Sequence, residues 1–289
     1  MKTEKVKKRS MAGDIWRRLL RNKMAVVGLV ILFLLVISAI FADVIADYDS
    51  KVVAQNVVER LQGPSAEHWF GTDEFGRDIF ARIIHGGRVS LVVGLVSISV
   101  SLVVGGCLGA FAGFYGGKVD NIIMRIMDIF LAIPSILLAI TIVAALGTNL
   151  INVMIAIGIS YIPTFARIVR AAVMGVKDQE FVESARAIGA SNATIIFREV
   201  IPNCMAPIIV QATLSVAGAI LSTASLSFIG LGVQPPSPEW GAMLSSGRNF
   251  LRDAMHLTLF PGLAIVITIL ALNLLGDGLR DALDPRLKQ

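Results

Sequence analysis

Apolar residues arrive in long blocks along this chain, and six blocks reach bilayer length. Residues 24–42, 89–114, 124–146, 150–173, 207–233 and 257–276 are each predicted to cross a hydrocarbon core, which takes about 20 residues of helix. The polar stretch between the fourth and fifth blocks differs from the other connections. It opens as Asp178-Gln179-Glu180-Phe181-Val182-Glu183-Ser184-Ala185-Arg186-Ala187-Ile188-Gly189 and closes as Arg198-Glu199-Val200-Ile201-Pro202-Asn203. Phe181, Ala185 and Ile188 fall at helical spacing, and glycine supplies a turn conformation that other residues resist. Two short amphipathic helices joined at Gly189 are therefore expected. Pro202 is expected to stop the second helix before the next span begins. A hairpin held by membrane helices at both ends is built to be gripped from the aqueous phase. Ahead of the first span, over residues 10–23, Ile15, Trp16, Leu19 and Leu20 form one stripe with Arg17, Arg18 and Arg21 opposite. That pattern predicts an interfacial helix lying on cytoplasmic headgroups.

Composition agrees and adds a direction. At 55% hydrophobic residues and mean hydropathy +0.74, the chain is too apolar for an ordinary soluble domain. The formal charge of +5 does not describe a nucleic-acid face, because nine basic residues crowd the start: Lys2, Lys5, Lys7, Lys8, Arg9, Arg17, Arg18, Arg21 and Lys23. Beside a span, such a cluster fixes topology and meets anionic lipid. With six spans and that tail inside, nineteen of the 26 Lys and Arg fall on the inner side and seven on the outer, so both ends and the hairpin are expected to be cytoplasmic. The block from Met24 to Ala42 is too long for a signal-peptide core and no small-x-small cleavage pattern follows it, which predicts a retained anchor. The chain divides into a basic tail with its interfacial helix (1–23), the first anchor (24–42), an extracytoplasmic segment (43–87), the main transmembrane domain (88–277) and a cytoplasmic tail (278–289). Cys107 and Cys204 give no metal spacing and are expected in different membrane layers, unpaired.

No catalytic constellation appears. His68, His85 and His256 are scattered, each expected at the surface or interface rather than on a metal. There is no His-Glu-x-x-His, Cys-x-x-Cys or Gly-x-Ser-x-Gly. Gly113-Phe114-Tyr115-Gly116-Gly117-Lys118-Val119 comes nearest to a phosphate loop, but it lacks a glycine at Ala112 and a hydroxyl at Val119. No Asp, Glu, Lys or Arg lies in the middle third of any span, which counts against a proton- or ion-coupled carrier. A channel or a membrane-embedded enzyme likewise finds no residues to support it. Arg125 and Asp128 are expected to pair locally, and Arg167 and Arg170 to snorkel to the surface. Gly105, Gly109 and Gly113 recur every fourth residue, a stripe that lets helices approach closely and reads as packing rather than pore lining. Pro134 and Pro163 are expected to kink their helices. Ser160, Gln211, Ser215, Ser222 and Asn273, with Thr213 and Ser225, are candidates to line a path, although some are expected to bond carbonyls one turn earlier.

The 178–203 hairpin resembles the EAA loop by which permeases of ATP-binding-cassette importers dock onto their ATPases. Glu183, Ala185, Gly189 and Pro202 sit at matching positions, with Ser184 in place of the middle alanine and Glu199 where an apolar residue is usual. Four further stretches are similar to C-type permeases of the dipeptide/oligopeptide/nickel transport family. They are His68–Arg82, Asp120–Asp128, Leu226–Gly241 and Leu275–Pro285. The resemblance runs from Met24 onward. It implies an all-α, polytopic protein of six transmembrane helices with the type I importer permease fold and a cytoplasmic coupling hairpin. Glu183, Ser184, Ala185, Ile188 and Gly189 would couple to an ATPase. It further implies a related permease as heterodimer partner, two ATPase subunits, an extracytoplasmic solute-binding protein and membrane lipid, with no nucleic acid. ATP and Mg would sit on the partner subunits and no cofactor on this chain, in the cytoplasmic (inner) membrane. Di- or oligopeptides are the expected solute, with nickel, glutathione or another small solute as the alternative.

Overall fold

The computed structural model describes residues 11–283. Lys2, Lys5, Lys7, Lys8, Arg9, Arg286, Lys288 and the Asp284-Pro285 step lie outside the described residues. The described residues form an all-helical bundle whose only strand-like feature is an isolated bridge between Thr72 and Asp78. Five helices are long and apolar enough to cross a bilayer: α2 (Lys23–Ile40), α3 (Ile79–Tyr115), α6 (Leu150–Met174), α9 (Met205–Phe228) and α11 (His256–Leu283). Between α3 and α6 lie α4 (Gly117–Leu131) and α5 (Ser135–Leu146), which together make a sixth such segment bent by 85°. The shorter helices are α1 (Met11–Arg21), α7 (Glu180–Ala187), α8 (192–203) and α10 (Trp240–Gly247). On α2, Phe33 is 62% and Ile40 61% exposed. Side chains of that kind need lipid rather than water around them.

Four of the expected boundaries move, for physical reasons. The second long helix starts at Ile79 rather than 89, because the Asp78 carboxylate accepts from the Ala81 amide at 2.8 Å and caps it there. Its first turns carry Arg82, His85 and Arg88, which a hydropathy count excludes from a span. The third span is not one helix: Pro134 lies in the break between Leu131 and Ser135 and is the N-cap of α5, and the two helices meet at an 85° bend rather than a kink. Pro163, by contrast, is buried inside a continuous α6. α9 ends at Phe228, followed by Gly230 at φ +85°, not at 233, and α11 runs on to Leu283 past 276.

Close approach organises the bundle. Gly105, Gly109 and Gly113 of α3 lie against the carbonyls of Ile162, Ala166 and Arg170 of α6, with no room for a Cβ at any of the three. The same helix pair is bridged where Ser101 Oγ donates to Gly158 O at 2.6 Å. α9 packs beside them through Ala219, Ile220 and Leu226. α11 meets α9 where Gly276 faces Leu214, and α2 meets α11 where Gly28 faces Ala271. α1 splits its stripe. Leu19 is buried and Ile15 half-buried beside Ala25, Leu279 and Ala282, while Trp16 and Leu20 remain exposed. Asn22 locks that corner by capping α2 and donating to Asp281 Oδ2 at 3.2 Å.

The end of the bundle away from α1 is capped by residues 43–78 and α10. Asp73 is buried and holds Arg77 at 2.7 Å and Arg82 at 3.4 Å, and Arg82 donates to Val52 O at 2.9 Å. Asp78 lies 2.9 Å from His68 Nδ1. Nearby, the Ser50 hydroxyl and amide both donate to the Asp47 carboxylate and hold its pKa below the ordinary value. His85 is buried rather than superficial. Its Nε2 lies 2.8 Å from Ala46 O, because the helix that carries it is covered by the 43–53 chain. Trp240, fully buried, donates from Nε1 to Ile83 O at 2.9 Å and fills the space over Gly86 and Gly87. Glu239 is also buried, and accepts from the amides of Gly241 and Ala242 at 2.9 Å to start α10.

Candidate functional site

The 178–203 hairpin is a folded unit seated on the ends of α3 and α6. α7 begins with Glu180 and Glu183 in its first turn and ends with Arg186 in its last, charges that complement the helix dipole. Its inner face is Val182, fully buried, flanked by half-buried Phe181 and Ala185. These meet Ala110 of α3, Val169 and Val173 of α6, and Ile195, Ile196 and Val200 of α8. Burying a valine-sized side chain of this kind contributes roughly 1.5–3 kcal/mol, so the hairpin is anchored rather than loosely tethered.

The turn between its helices is made by Gly189 at φ +81°. The Gly189 amide donates to Arg186 O at 3.0 Å and the Ala190 amide to Ala185 O at 3.1 Å, closing the end of α7. Ser191 then caps α8, accepting from the Thr194 amide at 3.3 Å. α8 widens to a π-turn over Ile195–Val200 and ends at Asn203, one residue after Pro202. Opposite the buried face, Glu183, Ser184 and Gly189 are exposed and Ile188 is 86% exposed. Ile188 thus leaves the apolar face that its spacing with Phe181 and Ala185 suggested, because Gly189 turns the chain away. An added Cβ at Gly189 would meet nothing within 4 Å. The hairpin therefore presents a polar knob with one apolar tip.

The flanking charges are cross-braced. Asp128 pairs with Arg167 of α6 at 2.6 Å, not with Arg125 one turn away on its own helix. Arg170 is held bidentately by Asp120 at 2.5 and 2.6 Å. Neither arginine is a lone snorkelling charge. Cys107 is partly buried, Cys204 buried, and both are free.

The path candidates are dispersed. Ser160, Ser222, Thr213 and Ser225 each donate to the carbonyl four residues earlier. Gln211 Nε2 donates to Ser215 Oγ at 3.1 Å. Asn273 is exposed and makes no side-chain hydrogen bond with a described residue. Of these, only Gln211 lines a cavity of about 480 Å³ between α6, α9 and α11 at the hairpin end of the bundle. Arg280 lines it too, a residue that charge counting used only to set topology. Its sequence signal was a lone arginine one turn from the end of an apolar block.

Comparison with known proteins fits this geometry. Residues 105–289 match the family described as binding-protein-dependent transport system inner membrane component, and residues 10–64 match the N-terminal TM domain of oligopeptide transport permease C. The chain is 51% identical to the dipeptide transport system permease protein DppC of Alkalihalophilus pseudofirmus, over 95% of this chain and 90% of that one. It is 48% identical to the di/tripeptide transport system permease protein DppC of Pseudomonas aeruginosa (95% and 92%) and to the glutathione transport system permease protein GsiD of Pectobacterium atrosepticum (95% and 91%). Among solved structures, the inward facing MetNI methionine ABC transporter matches with a TM-score of 0.58 at 19% identity, covering 70% of this chain and 97% of that one. That likeness is one of fold, the type I importer permease fold. With a family match over more than half its length and relatives near 50% identity, the chain belongs to the binding-protein-dependent transport system inner membrane components, among the dipeptide- and oligopeptide-type C permeases.

Proposed function

We infer that this chain is one permease subunit of an ATP-driven importer that passes di- or oligopeptides across the cytoplasmic membrane. The observation that carries this most directly is the hairpin: anchored through Val182, turned by Gly189, and offering Ile188, Glu183 and Ser184 outward. A knob of that kind transmits force to the two long helices it sits on, which suits docking onto an ATPase. The chain supplies no ATP chemistry of its own. ATP and Mg²⁺ belong to two ATPase subunits, and an extracytoplasmic solute-binding protein delivers the solute. A related permease completes the path as heterodimer partner. The basic excess puts both termini and the hairpin in the cytoplasm. Support comes from α1 and the α11 end sharing a corner, with the α11 end also flanking the cavity beside the start of α9. ATP closing the ATPases would favour one arrangement of the helices around Glu183–Gly189 over the other, and only such differential affinity can drive alternation.

A peptide solute is favoured by the names of the relatives at 51% and 48% identity. Glutathione, itself a tripeptide, is the second reading, favoured by the relative at 48%. The test is to purify the tagged chain in mild detergent, identify its companions by mass spectrometry, and screen the companion binding protein against peptides and glutathione. Two ATPases and a second six-span permease are expected. A chain recovered alone after crosslinking would refute the importer.

A further inference from the structure

The cavity between α6, α9 and α11 has the size of a small-ligand site, which typically spans about 300–1,000 Å³. Ile168, Val210, Leu214 and Leu283 give it apolar walls, and Gln211 and Arg280 are the polar groups among its lining residues. We propose that it binds the C-terminal half of a short peptide in transit, the Arg280 guanidinium taking the terminal carboxylate and the apolar walls taking a side chain. The proposal rests on the peptide-importer reading and adds a site and a recognition chemistry to it.

Three observations carry it. First, Arg280 lines the cavity, and its guanidinium makes no hydrogen bond or ion pair with another described residue. A planar fork of that kind matches a carboxylate bidentately. Second, Gln211 spends its amide N–H on Ser215 Oγ at 3.1 Å, which leaves its carbonyl oxygen as an acceptor at the cavity wall. A peptide N–H is its complement. Third, Gly276 seats α11 against Leu214 of α9, which fixes Arg280 and Gln211 on the two sides of one space. An anionic phospholipid shares the pairing of acidic group and apolar body. It lacks the amide N–H that the Gln211 carbonyl would accept, and so is the less complete match.

The experiment uses the intact transporter with its partner subunits, reconstituted in phospholipid nanodiscs, with the photoreactive benzoylphenylalanine replacing Val210. Irradiation with alanyl-phenylalanine should give a peptide adduct by mass spectrometry, and its C-terminal amide should give about tenfold less, as expected for loss of one charge-assisted pair. Arg280→Gln should lower the adduct by a similar factor and Arg280→Lys should restore part of it. A phospholipid adduct in place of peptide, or labelling that ignores both the carboxylate and Arg280, would overturn the proposal. Uptake of alanyl-phenylalanine by the unsubstituted transporter with its binding protein separates the two readings. Uptake without adduct removes only this site, whereas absence of uptake removes the peptide importer and the site with it.

Discussion

Gly105 and Gly106 are neighbours on one helix, and the structure assigns them opposite sensitivities. A Cβ added at Gly105 would stand 2.5 Å from Ile162 O, 2.9 Å from Phe165 Cβ and 3.2 Å from Ala166 N, two of the three being backbone atoms that cannot step aside. At Gly106 the nearest atom would be Val169 Cγ2 at 4.0 Å. To restore van der Waals contact, Gly105→Ala must push α3 and α6 apart by about 1 Å locally, and a gap of that size forfeits a quarter to a half of each facing dispersion contact. Overpacking of this kind costs about 1–3 kcal/mol, while Gly106→Ala is expected to be neutral or to gain up to about 1 kcal/mol from helix propensity. The two variants should therefore differ by about 1–4 kcal/mol, a factor of about 5 to 700 in their unfolding equilibrium, at roughly 1.4 kcal/mol per tenfold. Cys204 is a built-in reporter, because it is buried in the cluster that joins Ala110 of α3 to Val169 and Val173 of α6. In a Cys107→Ala background, maleimide modification of Cys204 across an SDS titration reads the opening of that contact. A lower SDS midpoint for Gly105→Ala and an unchanged or higher one for Gly106→Ala is expected. Equal midpoints would show that the α3–α6 approach does not depend on the glycine stripe.

Gly189→Pro should abolish peptide uptake while the protein still inserts and folds, since proline holds φ near −65° and the turn needs +81°; Gly189→Ala, with open space around it, should cost only about 1–2 kcal/mol of local strain. Normal uptake by the proline variant, measured in membrane vesicles, would defeat the coupling role. Double-mutant cycles on thermal stability should find a coupling of about 1 kcal/mol or more for the bidentate, partly buried Asp120–Arg170 pair. The half-exposed Asp128–Arg167 pair should show less than about 0.5 kcal/mol, and the reverse order would contradict the solvent screening assumed here. Trp240→Ala should destabilise by about 3–5 kcal/mol, because the ring is fully buried over Gly86 and Gly87. A shift below about 1 kcal/mol in a detergent melt would mean that α10 is not clamped to α3 as described.

The apolar blocks, the position of the hairpin and the turn at Gly189 were decided locally. Span length follows from counting consecutive apolar residues, and Gly189 is needed because its own φ is positive, whatever surrounds it. The stripe of Gly105, Gly109 and Gly113 announced a close helix contact, yet nothing in its spacing said that the partner was α6. Tertiary structure decided that, and with it the charge pairing. Asp128 had an arginine three residues away and took Arg167 instead, because two helices pressed together outrank a flexible neighbour on one surface. It decided that Pro134 separates two helices at 85° rather than bending one. It also decided that Arg82 and His85, polar residues a hydropathy window discards, are buried under the 43–53 chain. Arg280 gained its meaning in the same way. In the sequence it was one of nineteen inner charges, and only the packing of α11 on α9 put it beside Gln211 in a cavity. Hydrophobic periodicity is a property of adjacent residues, whereas ion pairs and cavities depend on which surfaces meet, and that choice belongs to the fold as a whole.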